Sequence, residues 1–291
     1  MRVQSITALR AVALVSNPTS GGFSRTKLER LCASFKARQC RVHHYDSLAF
    51  KHDQLDPEVD LICVFGGDGT LRTAIGNRPN GADDVPYCVF PAGTINLVAR
   101  EAGYRSSLRG FVADIGARRQ LRRHIAGRID QHVFLCCASV GPDSHAVAQV
   151  SPRLKKVIGR LAYPVAFARL LVSWPRHRLT VAVDGAVHAA EGVFILKGRH
   201  YAGQWTIDGQ ADLTRDRFRV LLMPRARRRD FLRLVLSTLL GGFFADPCWT
   251  RLDARVVDIH AASPLPVQAD GDVVATTPIR IAVDPNPLPF L

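Results

Sequence analysis

Three short stretches set glycines beside small polar residues, each directly after an apolar run: Asn17-Pro18-Thr19-Ser20-Gly21-Gly22, Gly66-Gly67-Asp68-Gly69-Thr70 and Pro91-Ala92-Gly93-Thr94-Ile95-Asn96. Glycines let main-chain N–H groups approach an anion, and Asn17 and Ser20 can hydrogen-bond backbone groups within the first turn. In the second stretch Gly66, Gly67, Gly69 and Thr70 surround Asp68 where a helix is predicted to open. Phosphate oxygens can take N–H bonds there, and Asp68 can hold magnesium through water or accept a proton. A carboxylate packed against phosphates repels them unless a cation intervenes, so this loop implies a divalent metal. Thr94 and Asn96 add hydrogen-bonding side chains at a third helix start, beside Gly93. Other phosphate motifs fail: the GxxxxGK[ST] spacing is absent, and Arg72 stands where a GxGxxG fingerprint beginning at Gly67 needs its third glycine. A P-loop NTPase or a dinucleotide dehydrogenase is therefore disfavoured.

The elements that position these loops alternate between apolar runs and helical patterns: residues 11–16 then 27–38, 61–65 then 71–76, and 87–90 then 95–102. Such alternation predicts a parallel sheet with crossover helices, whose ligands gather beyond the carboxyl ends of the strands. Any one loop alone reads as an ordinary strand-to-helix turn; all of them, in order and at strand ends, point to one phosphate site. After about residue 121 the pattern changes to strand-like segments at 128–139, 178–183, 187–196, 218–223, 256–260 and 279–283, with helical stretches at 152–174 and 229–240. Both helical stretches carry basic residues among apolar ones, and packing against a core is their commoner use. The expected organisation is residues 1–125 as an α/β domain and 126–291 as a mainly β domain, with a return of the last residues to the first domain left open.

A chain of 291 residues, 47% apolar and 22% charged, fits two globular domains. Its seven cysteines show no CxxC spacing and lie mostly in apolar segments, which reads as reduced thiols in a cytoplasmic protein. No signal peptide is expected. The longest apolar stretches, 161–174 and 231–244, are interrupted by Arg169 and Arg233, so no membrane span is predicted. The net charge of +14 gathers partly in clusters: Arg153, Lys155 and Lys156; Arg118, Arg119, Arg122 and Arg123; Arg225, Arg227, Arg228 and Arg229. These suit anionic lipid headgroups and would also suit nucleic acid; for any single cluster a solvated basic surface is the simpler reading. None of the ten histidines shows metal-ligand spacing, so each is read as structural.

With those residues in hand, the chain resembles the diacylglycerol kinase catalytic-domain family, which includes sphingosine kinases and bacterial lipid kinases. The resemblance rests on an NPxSG-like element at 17–21, GGDGT at 66–70 and PxGTxNxxAR at 91–100. It extends to Ser139-Val140-Gly141-Pro142-Asp143-Ser144, similar to the family's G-F-D-A element, and to residues 154–163. Residues 198–203 are similar to its G-R-Y-Y-G-G segment, and Gln268-Ala269-Asp270-Gly271-Asp272 to its V-D-G-E element. The resemblance implies an N-terminal Rossmann-like α/β nucleotide-binding domain and a C-terminal β-sandwich-like domain with inserted helices, with the active site in the interdomain cleft. It further implies ATP and Mg2+, a membrane lipid as acceptor, peripheral contact with an anionic membrane from the cytoplasm, and no nucleic-acid partner; pairing into a homodimer through a sheet edge is compatible with it.

The resemblance also distributes roles. Asn17, Ser20, Gly21, Gly66, Gly67, Gly69, Thr70, Gly93, Thr94 and Asn96 are expected to hold the triphosphate, and Asp68 and Asp272 to hold magnesium. Asp270 is the expected base, with Asp68 the alternative, and Asp143 is expected to orient the acceptor headgroup. Read without the resemblance, Asp270-Gly271-Asp272 is a polar β-turn. The chain departs from the family pattern at Leu97, where Asp is frequent; at Asp272, where Glu is usual; at Lys197, where Asn is usual; and at Thr214-Arg215-Asp216, where a D-D-G element contributes to an accessory magnesium site in some members. An NAD kinase, which shares GGDGT, and a non-catalytic lipid-binding protein on the same fold are the competing readings.

Overall fold

The computed structural model describes residues 9–76, 78, 85–117, 120–150, 168–172, 174–201, 203, 205–239 and 249–291. Most of the helix predicted at 152–174 lies outside the described residues, as do Arg118, Arg119, Arg153, Lys155, Lys156, Ala202 and Cys248. The chain forms two compact units, one reaching to His124 and including Asn286–Leu291, the other Ile125–Pro285.

The first unit is built on strands β1 (Ala11–Ser16), β2 (Arg41–Asp46), β3 (Leu61–Gly66), β4 (Tyr87–Pro91) and β5 (Arg122–His124), joined by the carboxy-terminal strand Leu288–Phe290. The sheet order is β2, β1, β3, β4, the carboxy-terminal strand, β5, and the first four strands are parallel. Every residue of β1 and β3 is buried, as expected of central strands covered by helices on both faces. The helices are α1 (Arg25–Lys36), α2 (Asp68–Gly76), α3 (Leu97–Glu101) and α4 (Leu108–Ala117). Ser24 caps α1 by accepting the Lys27 amide. Strand β2 escapes prediction because, as an edge strand, its Arg-Val-His-His-Tyr-Asp sequence stays largely in contact with solvent. Helix α2 starts at Asp68 rather than residue 71, and α3 starts at Leu97 rather than 95 because Asn96 is left-handed (φ 58°, ψ 55°).

In the second unit the strands are β6 (Gly127–Ile129), β7 (His132–Phe134), β8 (Cys137–Val140), β9 (Leu179–Val183), β10 (Ala186–Ala190), β11 (Gly192–Leu196), β12 (His200–Tyr201), β13 (Trp205–Thr206), β14 (Phe218–Met223), β15 (Thr250–Ala254), β16 (Val256–Ala261), β17 (Pro266–Ala269), β18 (Asp272–Thr276) and β19 (Ile279–Val283). Helix α5 (Pro142–Ala148) follows β8, and α6 (Arg228–Leu239) follows β14. One sheet runs β10-β9-β16-β19-β6-β7 and the other β15-β14-β11-β8-β17-β18, both antiparallel. Strand alternation explains the layers. Val193 and Ile195 of β11 and Val220 and Leu222 of β14 join Val181, Val257 and Ile281 in the core between the sheets. Phe194, Leu196, Leu221 and Met223 point to the opposite face, where Phe231 and Leu234 of α6 cover them.

Two predicted segments divide. Residues 128–139 make three strands, and 187–196 makes two that belong to different sheets. The second break falls at Glu191, whose carboxylate accepts from Arg176 and from the Ala226 amide at 2.9 Å and so turns the chain from one sheet to the other.

Candidate active site

Because β1, β3 and β4 are adjacent and parallel, the loops that follow them emerge at one edge of the sheet. They touch through glycine. A Cβ at Gly22 would lie 1.9 Å from the carbonyl oxygen of Ala92, and one at Gly93 would lie 2.4 Å from the Cα of Gly67. Gly66 is equally constrained, since its Cβ would meet the Thr70 side chain at 2.6 Å, whereas Gly21 faces open space. The glycines thus serve close backbone approach between loops as much as access for an anion.

The polar residues divide between shaping these loops and facing outward from them. Asn17 closes the first loop by accepting the Thr19 amide at 2.9 Å and its hydroxyl at 2.7 Å. Asn96 closes the third, accepting the Gly93 amide and donating to its carbonyl, both at 2.8 Å. Thr94 is half-buried at the same turn. The Ser20 hydroxyl oxygen is buried and has no hydrogen-bond partner among the described residues.

Asp68 takes a place that its sequence context does not disclose. Its carboxylate is buried and accepts the Leu97 amide at 2.8 Å and the Val98 amide at 2.9 Å, which caps α3 from across the site. The side chain of Leu97, where the family pattern has Asp, is packed in the core of the unit while its amide meets Asp68.

A second set of polar groups converges within the second unit. Asp270 and Gly271 form the two-residue turn between β17 and β18 with positive φ at both positions (48° and 85°), as a type I′ turn requires. The turn anticipated from Asp-Gly-Asp is therefore real, and it aims a carboxylate. Asp270 accepts the amides of Leu135, Cys136 and Cys137 at 2.7, 2.9 and 3.0 Å, which fixes its orientation firmly. Cys136 in turn accepts the Lys197 and Gly198 amides through its carbonyl. Asp143, in α5, is buried and accepts from Ser139, from the Tyr201 hydroxyl and from Gln268 Nε2 at 3.2 Å. Burial pushes its carboxyl above the usual carboxylate range, against the lowering effect of those donors. Gln268 also accepts the Gly271 amide at 3.0 Å, so it ties Asp143 to the Asp270 turn.

Ser139, Tyr201 and Gln268 are absent from the sequence-based site, although the quoted family-like elements contain all of them. Asp272 is half-buried at the start of β18. Lys197 is fully buried, and its ammonium donates to the carbonyls of Arg215 and, at 3.4 Å, Arg217. Burial lowers its pKa to about 8, opposed by Asp212 and Asp216 and reinforced by Arg215. Arg215 itself pairs with Asp253 at 3.1 Å. At Leu97 and Lys197 the chain thus uses apolar packing and a buried cation, and at Arg215 a part-exposed arginine paired with Asp253, where the family pattern has Asp or Asn. Among the described residues, no cluster of three or more His, Cys, Asp or Glu side chains stands ready to hold a metal.

Residues 11–129 match the diacylglycerol kinase catalytic domain, and residues 136–291 match the family described as the YegS C-terminal NAD kinase beta sandwich-like domain. The chain belongs to the diacylglycerol kinase family. It is a kinase family whose acceptor is an alcohol group. Among its relatives, "Probable lipid kinase YegS-like" of Pseudomonas aeruginosa is 30% identical over 237 residues, covering 77% of this chain and 73% of that protein. The diacylglycerol kinase of Bacillus subtilis is 23% identical over 217 residues, covering 74% and 72%. A diacylglycerol kinase structure from Bacillus anthracis superposes with a TM-score of 0.70 at 16% identity, covering 96% of this chain and 95% of that one. An NAD kinase from Archaeoglobus fulgidus, solved with ATP, gives 0.54 at 14% identity, covering 96% and 92%, a likeness of fold alone. The family matches thus favour lipid kinases over the NAD kinase alternative. No helix among the described residues is long and apolar enough to cross a membrane.

Proposed function

We propose that the protein is an ATP- and magnesium-dependent lipid kinase acting on a hydroxyl of a membrane lipid of the diacylglycerol or long-chain-base class. The observation that carries this reading is the meeting of three glycine loops, backbone against backbone, at the carboxyl ends of β1, β3 and β4 in a chain that matches the diacylglycerol kinase catalytic domain. Main-chain N–H groups of Gly66, Gly67, Gly69 and Thr70, the Ser20 hydroxyl and Thr94 hold the triphosphate, while Asn17, Gly93 and Asn96 keep the loops in shape. Gly21 faces open space on its Cβ side, so its contribution to the triphosphate site is its main-chain N–H.

In the second unit Asp270 accepts the proton of the acceptor hydroxyl as that oxygen bonds to the γ-phosphorus and the bond to the β-phosphate oxygen breaks, releasing ADP. Asp143, with Tyr201 and Gln268, orients the acceptor side. Asp68 caps α3 through one amide on each oxygen, and because each oxygen keeps a further lone pair it stays the alternative base and a magnesium carboxylate. Magnesium would enter with ATP, and Asp68 and Asp272 are the carboxylates that the family-like motifs supply to meet it. Bound there, it would neutralise charge on the phosphates.

The test is magnesium-dependent ADP release from ATP with mixed micelles of diacylglycerol or of long-chain base, beside NAD. Release only with a lipid supports the reading and names the acceptor class. Release with NAD alone overturns it, and ATP binding without release under any condition favours the non-catalytic alternative.

A further inference from the structure

Helix α6 packs Phe231 and Leu234 into the core behind the second sheet, with Ser237 and Thr238 also buried. Its opposite face carries Leu232 and Leu236, four residues apart and therefore neighbours on the helix, 47% and 55% exposed. Val172, 82% exposed, lies at the start of the helix, where Arg228 donates to its carbonyl oxygen at 3.1 Å. Isolated exposed leucines mean little. Here they stand among charges of one sign.

Asp230 is the only acidic residue between positions 225 and 239, and it is buried, accepting the Arg227 amide at 3.2 Å and lying 3.8 Å from Arg229. Arg225, Arg228 and Arg229 are exposed around the leucines. Several other arginines of this unit are neutralised: Arg215 and Arg219 share Asp253, Arg219 and Arg251 share Asp208, Arg255 pairs with Asp216, and Arg176 with Glu191. Among the described residues Arg225 and Arg228 have no acidic partner. An apolar strip rimmed by arginines, two of them uncompensated, is complementary to a bilayer whose headgroups are anionic, since leucines enter the acyl boundary while guanidinium groups stay at headgroup level.

We propose that this face of α6, centred on Leu232 and Leu236 and rimmed by Arg225, Arg228 and Arg229, seats the protein on an anionic phospholipid surface; the proposal rests on the lipid kinase reading and names its docking surface. The test is co-flotation of the full chain with vesicles of phosphatidylcholine alone or mixed with phosphatidylglycerol. The comparison uses wild type, Leu232→Ser/Leu236→Ser, Arg225→Gln/Arg228→Gln/Arg229→Gln, and a control, Leu48→Ser/Val187→Ser, at exposed apolar positions elsewhere. Wild type and control are expected to bind mixed vesicles, the leucine variant to bind roughly tenfold more weakly per leucine, and the arginine variant to lose its preference for phosphatidylglycerol. Absence of wild-type binding overturns the proposal, as does wild-type-like binding by both α6 variants. A leucine variant that instead changes only the molecular mass seen by light scattering shows a contact between copies and also overturns it. Phosphorylation of lipid in detergent micelles, measured in parallel, reports on the kinase reading alone, because all α6 variants are expected to keep it.

Discussion

Replacing Asp68 by asparagine keeps the shape of the side chain and removes one of its two acceptors. The carboxylate serves the Leu97 amide at 2.8 Å through one oxygen and the Val98 amide at 2.9 Å through the other. An asparagine can accept only one of these N–H groups and must present its own NH2 to the other, leaving a buried donor facing a donor. A charge-assisted hydrogen bond contributes about 1.5–3 kcal/mol and an unsatisfied buried donor costs a comparable amount, so about 2–4 kcal/mol is expected overall. For a protein of this size that lowers the melting temperature by roughly 5–10 °C. Because α3 begins where the third glycine loop ends, ATP affinity should fall with it. Differential scanning calorimetry of the full chain, paired with ATP titration by isothermal calorimetry, measures both effects. An Asp68→Asn protein that melts like wild type and binds ATP normally, yet has lost turnover, would refute the capping argument and leave metal or proton chemistry as the role of Asp68.

A Gly93→Ala substitution places a methyl group 2.4 Å from the Cα of Gly67 and must separate the loops; ATP affinity is expected to fall at least tenfold by calorimetric titration, and Gly21→Ala, which meets open space, should do far less. Burial disfavours the Lys197 ammonium, so between pH 8 and its ordinary 10.5 the unfolded chain binds more protons than the folded one, and stability rises with pH across that window. The lowering from 10.5 to about 8 corresponds to about 3 kcal/mol, and urea unfolding at both ends of the range should show the rise in wild type and its absence in Lys197→Met. Tyr201→Phe removes one donor from the buried Asp143 carboxylate and is expected to cost about 1.5–3 kcal/mol in the same unfolding assay; unchanged stability would show that the contact contributes nothing.

The parts of the site legible in the sequence are those in which residue type dictates backbone form. Gly93 and Asn96 announced a loop at a strand end and Asp270-Gly271 announced a turn, and both are found; Gly66-Gly67 announced a strand end, where the link proves to be Gly67 alone between β3 and α2. What stayed hidden was where the carboxylates point. Asp68 meets the amides of Leu97 and Val98, and Asp270 meets those of Leu135, Cys136 and Cys137, and a backbone amide has no side-chain signature by which a sequence could mark it as a partner. The same limit explains the fold errors. Residues 187–196 read as one apolar strand because nothing in composition shows that Glu191 is pinned by Arg176 and Ala226. Edge strand β2 lacks the apolar alternation that burial imposes on inner strands. Lys197 and Arg215 stood out as departures from a family pattern, and only their contacts show that both are held in place within the chain.

Transfer of phosphate from labelled ATP into an organic-extractable product is the most direct measurement, made with diacylglycerol and long-chain-base micelles, with magnesium or with chelator, for wild type and Asp270→Asn. The expected result is a phosphorylated lipid formed only with magnesium, with the Asp270→Asn rate reduced about 100-fold or more. Absence of any labelled lipid from a folded protein that binds ATP, or undiminished transfer by Asp270→Asn, would contradict the account.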